Sequence, residues 1–291
     1  MNNMSKRIIA LLLSAVILVS LASCGGKVEP KPSESLPSSE QEVENEGVRE
    51  GFFFINPLRV PSGADFVGRA PLLTTTVQDK KDLNSDTVGW LQVPNTDIDD
   101  VVVFYPGDRN EYYLRRNFEK RYSWNGIYFA DYRSKFDGTA NGFSKNTVIY
   151  GHNLDKAENE NAIMFAQLLR FRSETFAKET PYIYFSTERE DFVWEVFAVF
   201  YATVDLPYNH PNPNEKDYAE LISESRKRSL YNYDVQVGAN DKIITLSTCT
   251  YKFTSAYPNN YRYVIMAKLV SSEEVLKQQA AFEVNPSPKA P

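Results

Sequence analysis

Cysteine and histidine are both scarce in this chain of 291 residues, which contains two of each. Cys24 lies near the N-terminus, and Cys249 ends an apolar run in the stretch ITLSTCTY. So few thiols exclude a disulfide-rich fold, and a Cys24–Cys249 disulfide would tie a processing segment to the fold. They also fall short of the ligands that a zinc site requires. We therefore expect Cys249 to be a free thiol, with no bound metal or other cofactor.

An excess of basic residues is also missing. The formal net charge is −6 and the sequence pI is about 5.2, which argues against nucleic acid as the main partner, because phosphate binding requires a basic face. Tyrosine and phenylalanine are abundant, with 18 residues of each, and they favour strands over helices. The composition is that of a globular protein rich in β-structure.

The N-terminus has the pattern of an export signal. Lys6 and Arg7 precede a mostly apolar stretch from Ile8 to Leu21, which is shorter than the ~20 residues of a spanning helix. The residues Leu-Ala-Ser-Cys that end at Cys24 resemble the lipobox of bacterial lipoproteins, which implies lipidation of Cys24. The alternative is an uncleaved membrane anchor. Both interpretations place the protein at the outer face of a membrane.

Composition divides the chain into five segments. After the signal or anchor (1–24), residues 25–50 form a linker rich in Glu, Pro and Ser that cannot bury enough apolar surface to fold. Residues 51–78 have no clear period and stay unassigned. Residues 79–275 carry the apolar pattern of a folded domain, and residues 276–291 are expected to be a C-terminal tail whose last residues, NPSPKAP, have the composition of an unstructured segment.

The folded segment has mainly the pattern of strands. Eight short apolar runs, many bounded by Gly, Asn or Pro, predict a mostly antiparallel barrel or sandwich. Two helices are expected, a short one in NAIMFAQLLRFR and an amphipathic one near 215–230 with Asn214 as its cap. The strands are expected at 90–93, 101–104, 126–129, 147–150, 182–185, 192–204, 242–246 and 263–270.

Cys249 is either a small core residue or a nucleophile presented at a strand end. A thiol nucleophile needs a base or a cation beside it, and the sequence offers His152, just past a strand in VIYGHN, and His210, in the loop PYNHPNPNE. We expect Gly151 to let the chain turn before His152. A papain-like enzyme would have its cysteine before its histidine, and here the order is reversed.

Arg262 is a candidate for stabilising the charge that develops on a substrate carbonyl oxygen. It opens the last predicted strand, thirteen residues after Cys249. If the two strands form a hairpin, the two side chains converge across its loop. The guanidinium stays charged at any working pH.

These segments together resemble the sortase family. TLSTC at 245–249 is similar to the sortase TLxTC signature, and IYGHN and RYVIMAKLV resemble the flanks of its histidine and arginine. The segments VGWLQVPNTDIDDVVV, DRNEYYLRRNF and GIYFADYRS follow in the family's order, so the resemblance covers roughly 79–271. The helix between His152 and Cys249 resembles class B. The loop 250–261 looks longer than in typical class B chains.

The resemblance implies an eight-stranded sortase-type β-barrel over 79–275, with a few peripheral helices, one of them between the sixth and seventh strands. It implies a cysteine transpeptidase that cleaves a threonine-containing sorting signal of secreted proteins through a thioacyl intermediate. The acceptor would be an amine of a cell-wall peptidoglycan precursor or of a pilin, at the surface of a Gram-positive bacterium.

In that mechanism Cys249 attacks, His152 protonates the leaving amine, and Arg262, with the N–H of Thr250, stabilises the oxyanion. Ser247, Thr248, Thr250 and Tyr251 are candidates for lining the substrate site. Two alternatives stay open: a hydrolase that uses the same site, and a non-catalytic surface lipoprotein that binds peptide.

Overall fold

Eight strands close into a barrel, so the prediction of a sortase-type barrel is confirmed and the sandwich alternative is wrong. The computed structural model describes residues 72–107, 110–254, 256 and 259–291. Two further strands, β7 and β10, form a separate pair. The strands are β1 (Thr87–Gln92), β2 (Asp99–Val103), β3 (Tyr128–Ala130), β4 (Asn146–Tyr150), β5 (Tyr182–Ser186), β6 (Asp191–Thr203), β7 (Tyr231–Tyr233), β8 (Ile243–Cys249), β9 (Tyr261–Leu269) and β10 (Phe282–Val284).

The barrel order is β1-β2-β3-β4-β8-β9-β6-β5. Most neighbours are antiparallel, but β2 pairs with β3, and β4 with β8, in parallel. A parallel pair brings the carboxyl ends of both strands to the same rim. The rim after β4 and β8 therefore receives the residues that follow both strands.

The core is centred on β6, in which every residue from Trp194 to Ala202 is buried. Such a continuous run indicates a strand covered on both faces. One face fills the barrel, and the helix between β6 and β8 packs against the other. A bulge between Val196 and Ala198 interrupts the pairing of β6 with β9.

The amphipathic helix predicted near 215–230 is present as α3 (Glu215–Arg228), between the sixth and seventh barrel strands. The Asn214 side chain accepts a hydrogen bond from the backbone N–H of Asp217 at 2.9 Å, as expected for a cap. Acidic residues occupy its first turn and basic residues its last, which complements the helix dipole.

Four shorter helices complete the periphery of the described part of the chain, one of them a single 3₁₀ turn, Ala140–Gly142. The predicted helix in NAIMFAQLLRFR is a 3₁₀ helix, Met164–Arg172, with most of its side chains buried. It is followed by α2 (Glu174–Glu179), which is capped by the Ser173 hydroxyl. Helix α1 (Thr74–Leu83) begins inside the segment 51–78 that the sequence left unassigned.

Residues 276–291, the predicted C-terminal tail, make contacts with the folded domain. Residues Phe282–Val284 pair antiparallel with β7, and the Asn285 side chain donates to the carbonyl of Ser229 at 2.8 Å. The backbone N–H of Lys289 donates to the carbonyl of Lys227 at 2.9 Å. Three-residue strands are too short to leave a periodic pattern, so sequence reasoning missed both β7 and β10.

The predicted signal or anchor (1–24) and the linker (25–50) lie outside the described residues, as do residues 51–71. Among the helices that the structure does describe, none has the length and apolar character needed to cross a membrane.

Candidate active site

Cys249 and Arg262 lie directly opposite each other on the antiparallel strands β8 and β9. Facing residues in such a pair project from the same side, with Cβ atoms about 4.5–5.5 Å apart. Residues Ile243–Thr248 of β8 are buried, whereas Cys249 is partly exposed. The thiol is therefore at the barrel rim and is not a sealed core residue.

His152 reaches the same rim because β4 runs parallel to β8. The register pairs Tyr150 with Ser247, so the residues after Tyr150 run alongside the end of β8. Beyond the last pair, the Thr248 hydroxyl donates to the Gly151 carbonyl at 2.8 Å, and the Asn153 side chain donates to the Cys249 carbonyl at 3.2 Å. These contacts bracket His152 and hold its backbone beside that of Cys249.

Gly151 serves a different purpose from the predicted turn. Its φ is outside the left-handed region, so the backbone there does not require glycine. A Cβ at this position would lie 2.6 Å from Cγ of Phe165 and 2.9 Å from Cδ1 of Tyr128. Glycine is needed because the backbone before His152 packs directly on two stacked rings.

The His152 ring is oriented by a main-chain carbonyl. Its Nε2 lies 2.7 Å from the carbonyl oxygen of Leu114. Because a carbonyl only accepts, Nε2 carries a proton and Nδ1 is the nitrogen that titrates. Burial lowers the pKa of His152 below its usual 6.5; the Leu114 hydrogen bond opposes this shift, and the charge of Arg115 adds to it.

Arg262 is held by its own loop. Its Nη1 donates to the carbonyls of Asn259, at 2.7 Å, and Tyr261, at 2.9 Å. These two bonds use the hydrogens of one terminal nitrogen, and a guanidinium carries three more N–H groups. Arg262 therefore has its head anchored and retains donors for an anionic oxygen.

Three of the four candidate substrate contacts are turned inward. The Ser247 hydroxyl hydrogen-bonds Tyr208 at 2.9 Å, Thr248 donates to Gly151, and the Thr250 hydroxyl binds a carboxylate of the protein. All three residues are at most 2% exposed, so their hydroxyls are not presented to a substrate. Tyr251 is half-buried.

The expected oxyanion donor at Thr250 is also engaged. Its backbone N–H donates to the carbonyl of Tyr261 at 3.3 Å, which extends the β8–β9 pairing by one residue. This bond removes Thr250 N–H from the predicted oxyanion site, because the donor points along the sheet toward β9. Arg262 is left as the donor that sequence reasoning identified.

His210 is exposed in the loop between β6 and α3, where its carbonyl accepts from the Asn146 side chain at 3.2 Å. Of the two histidines, the structure brings only His152 alongside the end of β8. Within the described part of the chain, no three His, Cys, Asp or Glu side chains are grouped as metal ligands.

Sequence reasoning missed two groups at this rim. The Leu114 carbonyl is a backbone atom, so its role leaves no mark in the residue type. Glu158 accepts hydrogen bonds from Thr250 and Tyr251, but it lies in the irregular segment DKAENENA. Neither periodicity nor a short motif identifies it.

Comparisons with known proteins agree with this architecture. A family model described as the sortase domain matches residues 91–270. Sortase B of Listeria monocytogenes is 33% identical over 199 residues, which cover 67% of this chain and 74% of that protein.

Solved structures give the same result. The sortase B–substrate complex of Staphylococcus aureus superposes with a TM-score of 0.58 at 27% identity, covering 68% of this chain and 86% of that one. Sortase B of Clostridium perfringens gives 0.56 at 32% identity, covering 67% and 99%. The family model spans more than half of the chain, and the relatives share both its sequence and its barrel. The chain belongs to the sortase family, in class B, and is a cysteine transpeptidase that acts on sorting signals.

Proposed function

We propose that this enzyme cleaves a threonine-containing sorting signal and transfers the threonine acyl group to an amine of the cell wall. Cys249 is the nucleophile, His152 the proton donor and Arg262 the oxyanion donor. The observation that carries the proposal is that the parallel pair β4–β8 and the hairpin β8–β9 bring these three residues to one rim.

The reaction has two acyl-transfer steps. The Cys249 thiolate adds to the threonine carbonyl, and Arg262 donates to the oxygen that becomes negative. Collapse breaks the peptide bond, and the departing amine takes a proton from Nδ1 of His152. A thioester remains on Cys249, which an acceptor amine then attacks, releasing the thiol.

The lowered pKa of His152 suits the role of acid. An imidazolium in a site that disfavours its charge gives up its proton more readily than histidine in water. Its Nε2–H stays on the Leu114 carbonyl throughout, so the ring does not need to rotate between steps.

Two solved structures of relatives bear on the choice of acceptor. One solved structure is a sortase B–substrate complex, and another is a sortase B in complex with triglycine. A glycine tripeptide is a short peptide of the kind that could supply an amine, which favours a wall-peptide amine here. A pilin amine is the other acceptor to be tested.

The test is to incubate the enzyme with a library of threonine-containing sorting peptides, with and without triglycine or a wall peptide, and to identify products by intact mass. We expect an acyl adduct on Cys249 and a ligated product that needs the amine. Product formation by Cys249→Ala at the wild-type rate would refute the nucleophile. Free acid alone in the presence of every amine would identify a hydrolase.

We propose further that the enzyme works at the outer surface of a Gram-positive cell, anchored through a lipid on Cys24. The export pattern of residues 1–24 and the lipobox-like residues before Cys24 support this assignment. The full chain expressed in such a cell should incorporate labelled fatty acid, and Cys24→Ala should not. Incorporation that persists in the variant would exclude Cys24 as the site.

A further inference from the structure

Glu158 joins the chain segment that follows His152 to the segment that follows Cys249. Its carboxylate accepts from the Thr250 hydroxyl at 2.9 and 3.1 Å and from the backbone N–H of Tyr251 at 2.5 Å. Thr250 directly follows the thiol-bearing residue. One carboxylate therefore fixes both the side chain and the main chain of the loop that begins there.

The backbone of Glu158 is in a conformation that its residue type avoids. Its φ is +59°, in the left-handed region where few non-glycine residues are found. Such a strained backbone persists only when surrounding contacts hold it in place, and it occurs often at functional sites. Here it aims the side chain at the β8–β9 loop.

The carboxylate is largely enclosed and has a cationic partner. Its side chain is 12% exposed, and Nη1 of Arg172 lies 3.4 Å from Oε2. Nη2 of Arg172 also donates to the Glu158 carbonyl at 3.1 Å. An enclosed carboxylate that contacts a guanidinium and two further donors is strongly held.

A second carboxylate provides a natural comparison. Glu160 pairs with the same arginine, Nη2 to Oε2 at 3.1 Å, but its side chain is 45% exposed. The hydrogen-bond partner of its carboxylate is Arg172, whereas Glu158 also holds Thr250 and Tyr251. The two residues therefore share the ion pair and differ in the loop contacts.

We propose that Glu158 is a positioning residue for the thiol: it fixes the start of the β8–β9 loop so that Cys249 faces the substrate carbonyl beside Arg262. This inference rests on the proposed role of Cys249. A second contact joins the same two chain segments: the Tyr251 hydroxyl lies 3.4 Å from the Asn153 carbonyl. The carboxylate is the stronger of the two links because its hydrogen bonds to Thr250 and Tyr251 are more numerous and shorter.

The test compares Glu158→Gly with Glu160→Gln. Glycine adopts the left-handed backbone freely, so Glu158→Gly removes the carboxylate without adding strain and should fold. Glu160→Gln weakens the Arg172 pair and leaves the loop contacts. The measurements are kcat and KM for acylation by a sorting peptide, and deuterium exchange at the Tyr251 amide.

We expect Glu158→Gly to lower kcat on the order of 10- to 100-fold, with KM changed by less, and to speed Tyr251 exchange. The kcat of Glu160→Gln should stay within about twofold of the wild-type value. Glu158→Gln, which keeps an acceptor oxygen, should recover part of the rate. The double variant Thr250→Val, Glu158→Gly should be no slower than Glu158→Gly alone, because the contact that Thr250→Val removes is already absent in Glu158→Gly.

Two results would overturn the inference: wild-type kcat and Tyr251 exchange in Glu158→Gly, or an equal loss in Glu160→Gln, which would assign the effect to the ion pair. Failure of the proposed function looks different. In that case Cys249→Ala would remain active, while Tyr251 exchange would still respond to Glu158→Gly.

Discussion

The packing of Gly151 gives a sharp test of how the His152 backbone is placed. In Gly151→Ala, the new Cβ would be 2.6 Å from Cγ and 2.7 Å from Cδ2 of Phe165. Phe165 is fully buried and stacks on Tyr128 with ring centroids 4.7 Å apart. The rings cannot withdraw into open space, so the strain must move the backbone next to His152.

The magnitude follows from two opposing effects. Overpacking in a close-packed core costs about 1–3 kcal/mol, whereas replacing glycine by alanine stabilises by about 0.4–1 kcal/mol through the unfolded chain. We expect Gly151→Ala to lose about 1–2 kcal/mol. Gly238→Ala is the matched control, because a Cβ there would meet only Oδ2 of Asp241, at 3.6 Å. It should be as stable as wild type or slightly more so.

Denaturant unfolding measures the stability of both variants, and acylation by a sorting peptide measures activity. Gly151 also accepts the Thr248 hydroxyl and donates to the Ser247 carbonyl at 3.3 Å, so its displacement disturbs the rim where His152 lies. We expect activity to fall about 100-fold, as for a misplacement of about 1 Å. If Gly151→Ala matched Gly238→Ala in both assays, the close packing described for Gly151 would be incorrect.

Three further predictions test other parts of the molecule. Arg262→Lys should lower single-turnover acylation by about 10²–10³-fold because it loses the guanidinium fork; a loss below about tenfold would contradict the oxyanion role. The pKa of His152, measured by NMR in folded protein, should lie below the usual 6.5 with the proton on Nε2. Because folding disfavours the protonated form of His152, its contribution to the free energy of unfolding should be complete above pH ~6.5. It should be lost as the pH falls from there through the lowered pKa of the folded protein. A measured pKa above 6.5 would reverse this pH dependence. Phe282→Ala should cost about 1–3 kcal/mol of unfolding free energy through its contacts with two tyrosine rings of β7, whereas Val284→Ala, at a site 52% exposed, should cost less than about 0.5 kcal/mol.

The strands of the barrel could be predicted because they are apolar runs bounded by turn residues. Pattern and structure agree closely for β6 and α3. A strand that is buried on both faces leaves a continuous apolar run, and a helix that is buried on one face leaves a helical period. Closure into a barrel could not be derived from the runs themselves. It depends on which edges meet, and the parallel pairing of β4 with β8 joins strands that β5, β6 and α3 separate in the chain.

The site was predictable in its side chains and not in its main chain. Thiols and imidazoles are rare enough here to be found by residue type, whereas Arg262 was found by its place at the start of the last predicted strand. The acceptors that orient the imidazole and the guanidinium are the Leu114, Asn259 and Tyr261 carbonyls, and any residue supplies a carbonyl. For the same reason residue type could not show that the Thr250 N–H, expected at the oxyanion, donates to the Tyr261 carbonyl, since this contact depends on the strand register.

The geometry explains how residues 97 positions apart in the chain come to lie together at one rim. In a parallel pair, the register fixes which residues leave the two strands at the same level. Tyr150 opposite Ser247 is therefore sufficient to bring His152 to the level of Cys249. Arg262 follows independently from the β8–β9 hairpin, which pairs it with Cys249. The relative placement of the backbones that carry the three groups is thus a property of two strand ladders. The loop 250–261 can then vary in length without moving the backbone that carries the thiol. The condition is that a contact such as that of Glu158 with Thr250 fixes the point where the loop begins.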